Sequence, residues 1–244
     1  MKQLTFCFLL FANVCFAQAN FRIEQKKQTK VKTAYAEKWG GLKSELSQQS
    51  INTNSFSIFF RVFKQEELFE VWVKDNTIST FKLFKSYKIC ASSGDLGPKR
   101  REGDMQVPEG FYSINVFNPF SSYYLSLGVS YPNAADKYFS DKKQPGGAIM
   151  VHGNCVTIGC IPLTDEVIKE VYVLAVEAKA NGQSNIPIHI FPCKLKDTQL
   201  KTICETNSLH QKFWSNLKIG FDYFESHKKL PTISVDKQGY YVFK

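Results

Sequence analysis

From Phe56 to Cys90 the chain consists of β-branched and aromatic runs: Ser57 to Phe63, Leu68 to Lys74 and Ile78 to Cys90. Lys64-Gln65-Glu66-Glu67 and Asp75-Asn76 separate them. Branched and aromatic side chains fit a pleated surface better than a helix, where the preceding turn restricts χ1. The separators are polar and turn-forming, so the spacing predicts a meander of hairpins. Phe111 to Phe117, Tyr123 to Ser130, Ala148 to Val151 and Ile186 to Phe191 have strand character too. A chain with this much strand must be organised around a sheet. The expected class is mostly β with flanking helices (α+β).

Helices fall around that sheet. Thr164 is placed to cap one, with Asp165 and Glu166 at the positive end of its dipole. Val167, Ile168, Val171, Leu174, Ala175 and Ala178 then recur on one face, and Asn181-Gly182 ends it. Residues 33–49 predict a short helix interrupted by Gly40-Gly41, after a polar, Lys/Gln-rich and flexible lead-in over 20–32. Residues 91–109, rich in Gly, Pro and charge, form a long loop of the kind that carries function. Ser208 to Ser226 predicts a helix with a stripe of Phe213, Trp214, Leu217, Phe221 and Phe224, and Tyr240 to Phe243 a closing strand. The expected division is a lead-in and helix over 20–55, a sheet domain over 56–192 and a C-terminal α/β appendage over 193–244.

Residues 1–19 have the form of a secretory signal: Lys2, an apolar run from Leu4 to Phe16, and Ala17-Gln18-Ala19 as a cleavage pattern. That run is too short to favour a permanent span, so no transmembrane segment is expected after cleavage. The expected location is the periplasm or cell envelope. The chain carries a formal net charge of +9, and loss of Lys2 with the signal leaves +8. Export argues against nucleic acid as the partner of that charge; an anionic cell-wall polymer and a merely solvating surface are both compatible with it. Cleavage would leave Cys90, Cys155, Cys160, Cys193 and Cys204, an odd number that guarantees a free thiol. Cys193 with Cys204 is the simplest pair.

The chemistry is concentrated in His152-Gly153-Asn154-Cys155-Val156-Thr157-Ile158-Gly159-Cys160. A thiol attacks as thiolate, and a neighbouring imidazole is the commonest means of taking its proton. Gly159, directly before Cys160, leaves room for a substrate carbonyl beside the Cys160 N–H, as an oxyanion hole requires. Two other readings are compatible with the spacing. The thiol and imidazole could be structural, or His152, Cys155 and Cys160 could be three of four zinc ligands.

Thr157-Ile158-Gly159-Cys160-Ile161 resembles the [Ser/Thr]-x-Gly-Cys-hydrophobic core of the L,D-transpeptidase catalytic domain, the YkuD family, with His152-Gly153 as its upstream His-Gly. Gly94-x-x-Gly97-Pro98-Lys99, Glu102-Gly103-Asp104 and Pro108 to Tyr112 are similar to the segment that precedes the active site in that family. Asn118-Pro119 and Tyr131-Pro132-Asn133 resemble its YafK-like branch. The chain departs from the wider family in the eight-residue His–Cys spacing, in Ile158 where a second His is common, and in Pro162 where Arg or Asn is common.

The resemblance implies a β-sandwich catalytic domain that needs no cofactor. It implies peptidoglycan stem peptides as substrate, with a wall-attached lipoprotein as a further partner. Cys160 would be the nucleophile, His152 the base and the Gly153 carbonyl its orienting group, with Thr157 and Gly159 shaping the substrate site. With Pro162 in place of a cation, Lys99 and Arg101 are the candidates for holding the substrate carboxylate. The acyl group would pass from the third residue of the stem, through a Cys160 thioester, to an amine or to water.

Overall fold

Strands β1 (Phe56–Phe63), β2 (Leu68–Asp75) and β3 (Lys82–Lys88) pair antiparallel in chain order in the computed structural model, which describes residues 20–244. The signal-like segment and its cleavage pattern lie outside the described residues. β4 (Gly110–Asn118), β5 (Ser126–Val129), β6 (Met150–His152), β7 (Ile161–Pro162) and β8 (Ile186–Phe191) complete an eight-stranded sheet of order β3-β2-β1-β8-β4-β5-β6-β7. The β1–β8 and β6–β7 pairs are parallel. The sheet curls until its edges approach: the Cys90 N–H, just past β3, donates to the Pro162 carbonyl of β7 at 3.1 Å. The class is as expected, mostly sheet with flanking helices, and the implied sandwich takes the form of one curled sheet.

The lack of alternation in β1 has a physical cause. Ile58, Phe60 and Val62 face the inner core, whereas Phe59 and Phe63 face outward into separate clusters with C-terminal residues. A strand covered on both faces must be apolar on both. The inner face is filled by α5 (Asp165–Ala180), capped by Thr164 Oγ1, which accepts from the Val167 N–H. Tyr172, Val173 and Val176 are fully buried along with the expected face, so this helix is enclosed nearly all round.

What encloses it is the N-terminal region, and here the expectation of a flexible lead-in is corrected. Residues 20–26 form α1, followed by α2 (Thr29–Ala34), a π-helical turn over Tyr35–Trp39 and α3 (Gly40–Gln48). Val31, Ala34, Tyr35, Leu42 and Leu46 are buried against the core. That apolar face outweighs the polar composition, since packing rather than propensity supplies most helix stability. Gly40 and Gly41 do not interrupt the helix. Both are exposed, with nothing near their missing side chains.

The remaining elements flank the sheet. α4 (Ala134–Phe139) is closed by a capping box between Asn133 and Asp136. α6 (Asp197–Thr206) precedes a 3₁₀ turn over Ser208–His210, so the expected helix starts later, as α7 (Gln211–His227). The aromatic stripe of α7 is buried against the outer face of the sheet. β9 (Ile233–Val235) pairs antiparallel with the closing strand β10 (Tyr241–Phe243).

The expected cysteine pairing is also corrected. Cys90 is bonded to Cys155 across 65 residues, and Cys193 and Cys204 are free thiols. Curling of the sheet, a long-range event, brings the end of β3 to the loop after β6. Proximity in sequence gave no indication of it.

Candidate active site

The parallel β6–β7 pair sets His152 opposite Pro162 and Val151 opposite Ile161, so His152 ends one strand and Cys160 immediately precedes the other. The loop between them is pinned at each end. The Leu163 N–H donates to the His152 carbonyl at 2.8 Å, and the Asn154 N–H to Asp165 Oδ1 at 2.8 Å. Gly153 has no room for a side chain, because a Cβ there would lie 2.6 Å from Asp165 Oδ1 and 2.9 Å from the Tyr123 carbonyl. The Cys90–Cys155 bond fixes the middle of the loop to the far edge of the sheet. Thus the first turn of α5 does more than cap. Asp165 holds the loop, while Glu166 pairs with Lys38 and Lys169.

The His152 ring is 98% withdrawn from solvent, and its Nδ1 lies 2.5 Å from the Gly153 carbonyl. A carbonyl only accepts, so Nδ1 carries the proton and Nε2 keeps its lone pair. Burial holds the imidazole below its ordinary pKa, with the Gly153 hydrogen bond opposing. The Tyr123 ring packs on the imidazole with centroids 4.8 Å apart and 34° between planes.

Cys160 is a free, partly buried thiol with Sγ 3.7 Å from the Ala148 carbonyl. Burial pushes its pKa above the usual thiol value, and the Met150 backbone and the Lys99 charge oppose that. With the imidazole lowered and the thiol raised, the pair is neutral at neutral pH. That suits proton transfer during attack rather than a standing ion pair.

Thr157 organises the approach to Cys160. Its Oγ1 accepts from the N–H groups of Gly159 at 3.1 Å and Cys160 at 2.8 Å, and donates to the Cys160 carbonyl at 2.9 Å. Gly159 has φ +131°, a conformation that excludes side chains, and lies against the Gln106 carbonyl of the 91–109 loop. The same loop walls a cavity of about 340 Å³ that reaches Cys160 and is lined by Val62, Ile89, Leu96, Val107 and Ile161, with Lys64 at its margin.

Lys99 and Arg101 have separate fates. Lys99 is buried, and its Nζ donates to Asp104 Oδ1 at 2.6 Å and to the Arg101 carbonyl at 2.9 Å. Its charge ties the loop together and acts on Cys160 through space. Arg101 is exposed. The zinc reading loses a ligand, because Cys155 is committed to Cys90. Among the described residues no group of three or more His, Cys, Asp or Glu side chains is placed to hold a metal. No helix among them is long and apolar enough to cross a membrane.

Tyr123 and the loop-holding role of Asp165 escaped the sequence reading. Neither carries a local signal, since Tyr123 reaches His152 from a different segment and Asp165 is indistinguishable from an ordinary first-turn carboxylate.

Residues 58–189 match the family described as L,D-transpeptidase catalytic domain, YkuD. The chain is 38% identical over 189 residues to the Escherichia coli (strain K12) protein named "Putative L,D-transpeptidase YafK", covering 77% of this chain and 74% of that one. Among solved structures, the helical cell shape determining protein Pgp2 from Campylobacter jejuni aligns with a TM-score of 0.46 at 19% identity, over 75% of this chain and 73% of that one. By the family match and by the extent of its identity to YafK, the chain belongs to the L,D-transpeptidase catalytic domain (YkuD) family.

Proposed function

We propose that the protein is a peptidoglycan L,D-transpeptidase working through a Cys160 thioester in the periplasm or cell envelope. The observation that carries this reading is the Nδ1 bond from His152 to the Gly153 carbonyl. It leaves Nε2 as a base on the strand beside the free thiol. Cys160 Sγ attacks the carbonyl carbon of the third stem residue while His152 Nε2 takes the thiol proton. Collapse of the tetrahedral intermediate breaks the peptide bond, and the leaving D-amino acid departs with the proton returned by His152. An acceptor amine then attacks the thioester, His152 removes its proton, and the thiol is regenerated.

The apolar cavity beside Cys160 suits the aliphatic part of the stem. Arg101, exposed on the loop that walls it, supplies the cation for a substrate carboxylate, a role in which Lys99 is hindered by its pairing with Asp104. The naming of the Escherichia coli relative as an L,D-transpeptidase favours an amine as acceptor over water. A wall-attached lipoprotein is one source of such an amine.

Mass spectrometry of purified muropeptides tests the reading. Incubation of tetrapeptide stems with the protein should release the terminal D-amino acid and yield a product carrying the amine. Tripeptide alone would assign the thioester to hydrolysis. Stems left intact, or turnover retained by Cys160→Ala, would overturn the proposal.

A further inference from the structure

A second cavity, of about 470 Å³, opens on the opposite face of the sheet from Cys160, at the seam with the C-terminal segment. Its floor is formed by Phe111 and Ser113 of β4 and His189 of β8, and its far wall by Leu230, Pro231, Ile233 and Val235 around β9. The Cys160 cavity is walled by Val62, Val107 and Ile161 of the inner core, so the two do not share a face. The size falls within the range of small-molecule sites.

The lining has a distinct chemistry. It contains no charged side chain, yet it is rich in hydrogen-bonding groups: Ser113, Ser130, Asn133, Asn185 and Ser234. His189 lies among them, 97% buried between the edges of Phe59 and Phe111, and its Nδ1 has no hydrogen-bond partner. Burial, aided by the Arg61 charge, pushes its pKa down to about 3, so it is neutral and offers one donor and one acceptor. A charged ligand would lose hydration with no counter-charge in the lining to replace it. Asn133, Ser113 and Ser130 already bond within the protein, but a wholly apolar ligand would cover the Asn185 and Ser234 side chains and the His189 ring without giving them partners. What satisfies both limits is an uncharged molecule dense in hydroxyl groups, with C–H faces to lie against Pro187, Leu230 and Ile233.

We propose that this cavity is a binding site for a neutral saccharide unit, separate from the Cys160 site and independent of its chemistry. A glycan held there would anchor the protein on a polymer while Cys160 works elsewhere.

The test is ¹⁵N-NMR titration of Cys160→Ala protein, in which no turnover intrudes. Chitotetraose, uncharged, should shift the His189 ring nitrogens and the amides of Ser113 and Ile233 in a saturable way. Its de-acetylated, cationic counterpart should not. Ser234→Trp, placed at an exposed lining position, should weaken chitotetraose binding by about tenfold or more, or about 1.4 kcal/mol. His189→Phe should do the same with the melting temperature checked separately. Absence of saturable shifts at millimolar chitotetraose, or equal binding of the cationic oligomer, or unchanged binding by a folded Ser234→Trp variant, would overturn the proposal. None of these outcomes bears on whether Cys160 forms a thioester.

Discussion

Thr157 Oγ1 accepts the backbone N–H of Cys160 at 2.8 Å and donates to the carbonyl of the same residue at 2.9 Å. One hydroxyl therefore holds both backbone polar groups of the candidate nucleophile and fixes where β7 begins. It also occupies the N–H expected to face a developing oxyanion, so a tetrahedral intermediate formed at Cys160 would have to draw that N–H away from the hydroxyl.

Thr157→Ser, which keeps the hydroxyl, should therefore preserve turnover of tetrapeptide stems to within a few-fold. Thr157→Val should lower it by about 10²-fold, the scale of a misplaced reacting group, because neither backbone group of Cys160 is then held in place. Steady-state assays on folded variants decide this, and a Val variant with parental turnover would show that the contact has no part in catalysis.

The neutral state of the pair fixes the shape of the pH profile. Because burial lowers the His152 pKa, the base form survives to lower pH, and the acid limb of kcat/KM should fall below the ordinary imidazole value. Because burial raises the Cys160 pKa, thiolate forms unaided only above the ordinary thiol range. Thiolate absorbance at 240 nm should accordingly be absent at neutral pH and rise in the alkaline range. A thiolate signal at mildly acid pH would instead establish a preformed ion pair.

Removing the Cys90–Cys155 bond should cost stability, since it closes a 65-residue span and joins the sheet edge to the active-site loop. The Cys90→Ser, Cys155→Ser double variant should lose about 2–5 kcal/mol in denaturant unfolding, the usual cost of a native disulfide. Non-reducing peptide mapping should recover Cys90 linked to Cys155. A Cys193–Cys204 linkage in the parent would contradict the structure.

The strands and the His152 and Cys160 positions were legible because their signals are local. β-branched runs specify extended chain wherever they lie, and an imidazole and a thiol bracketing a short glycine-containing loop declare their chemistry. α5 was legible for the same reason, through Thr164 and its apolar face. What escaped depends on closure of the sheet. The partner of Cys90 and the packing of Tyr123 on His152 join segments distant in sequence, and Lys99 is buried only once its own loop folds onto the sheet with Asp104. The helix within 33–49 was legible, but its continuation back through residues 20–32 was missed because the apolar residues there are sparse among Lys and Gln, and only the waiting surface of α5 makes them sufficient.

Gly153→Ala should inactivate the enzyme. The new methyl group would lie 2.6 Å from Asp165 Oδ1 and 2.9 Å from the Tyr123 carbonyl, and the second of these is backbone that yields with difficulty. The Gly153 carbonyl would move, and with it the acceptor that fixes the His152 tautomer. Turnover should fall by about 10²-fold or more, as for loss of a positioned base, with the circular dichroism spectrum retained. Parental activity in the Ala variant would show that the loop adjusts freely.

Tyr123 should act through the position and solvation of His152. Its ring covers one face of the imidazole, 4.8 Å away, and contributes to the burial that lowers the His152 pKa. Tyr123→Ala would admit water, raising that pKa toward its ordinary value and moving the acid limb of kcat/KM to higher pH. Tyr123→Phe keeps the ring and should leave the limb in place, which separates packing from any contribution of the hydroxyl. The Ala variant should also lose about tenfold in kcat through looser orientation of the base, within the range for general acid–base catalysis. An acid limb that stays put in Tyr123→Ala would remove Tyr123 from the mechanism and leave the lowered His152 pKa to the strands and loop that enclose the rest of the ring.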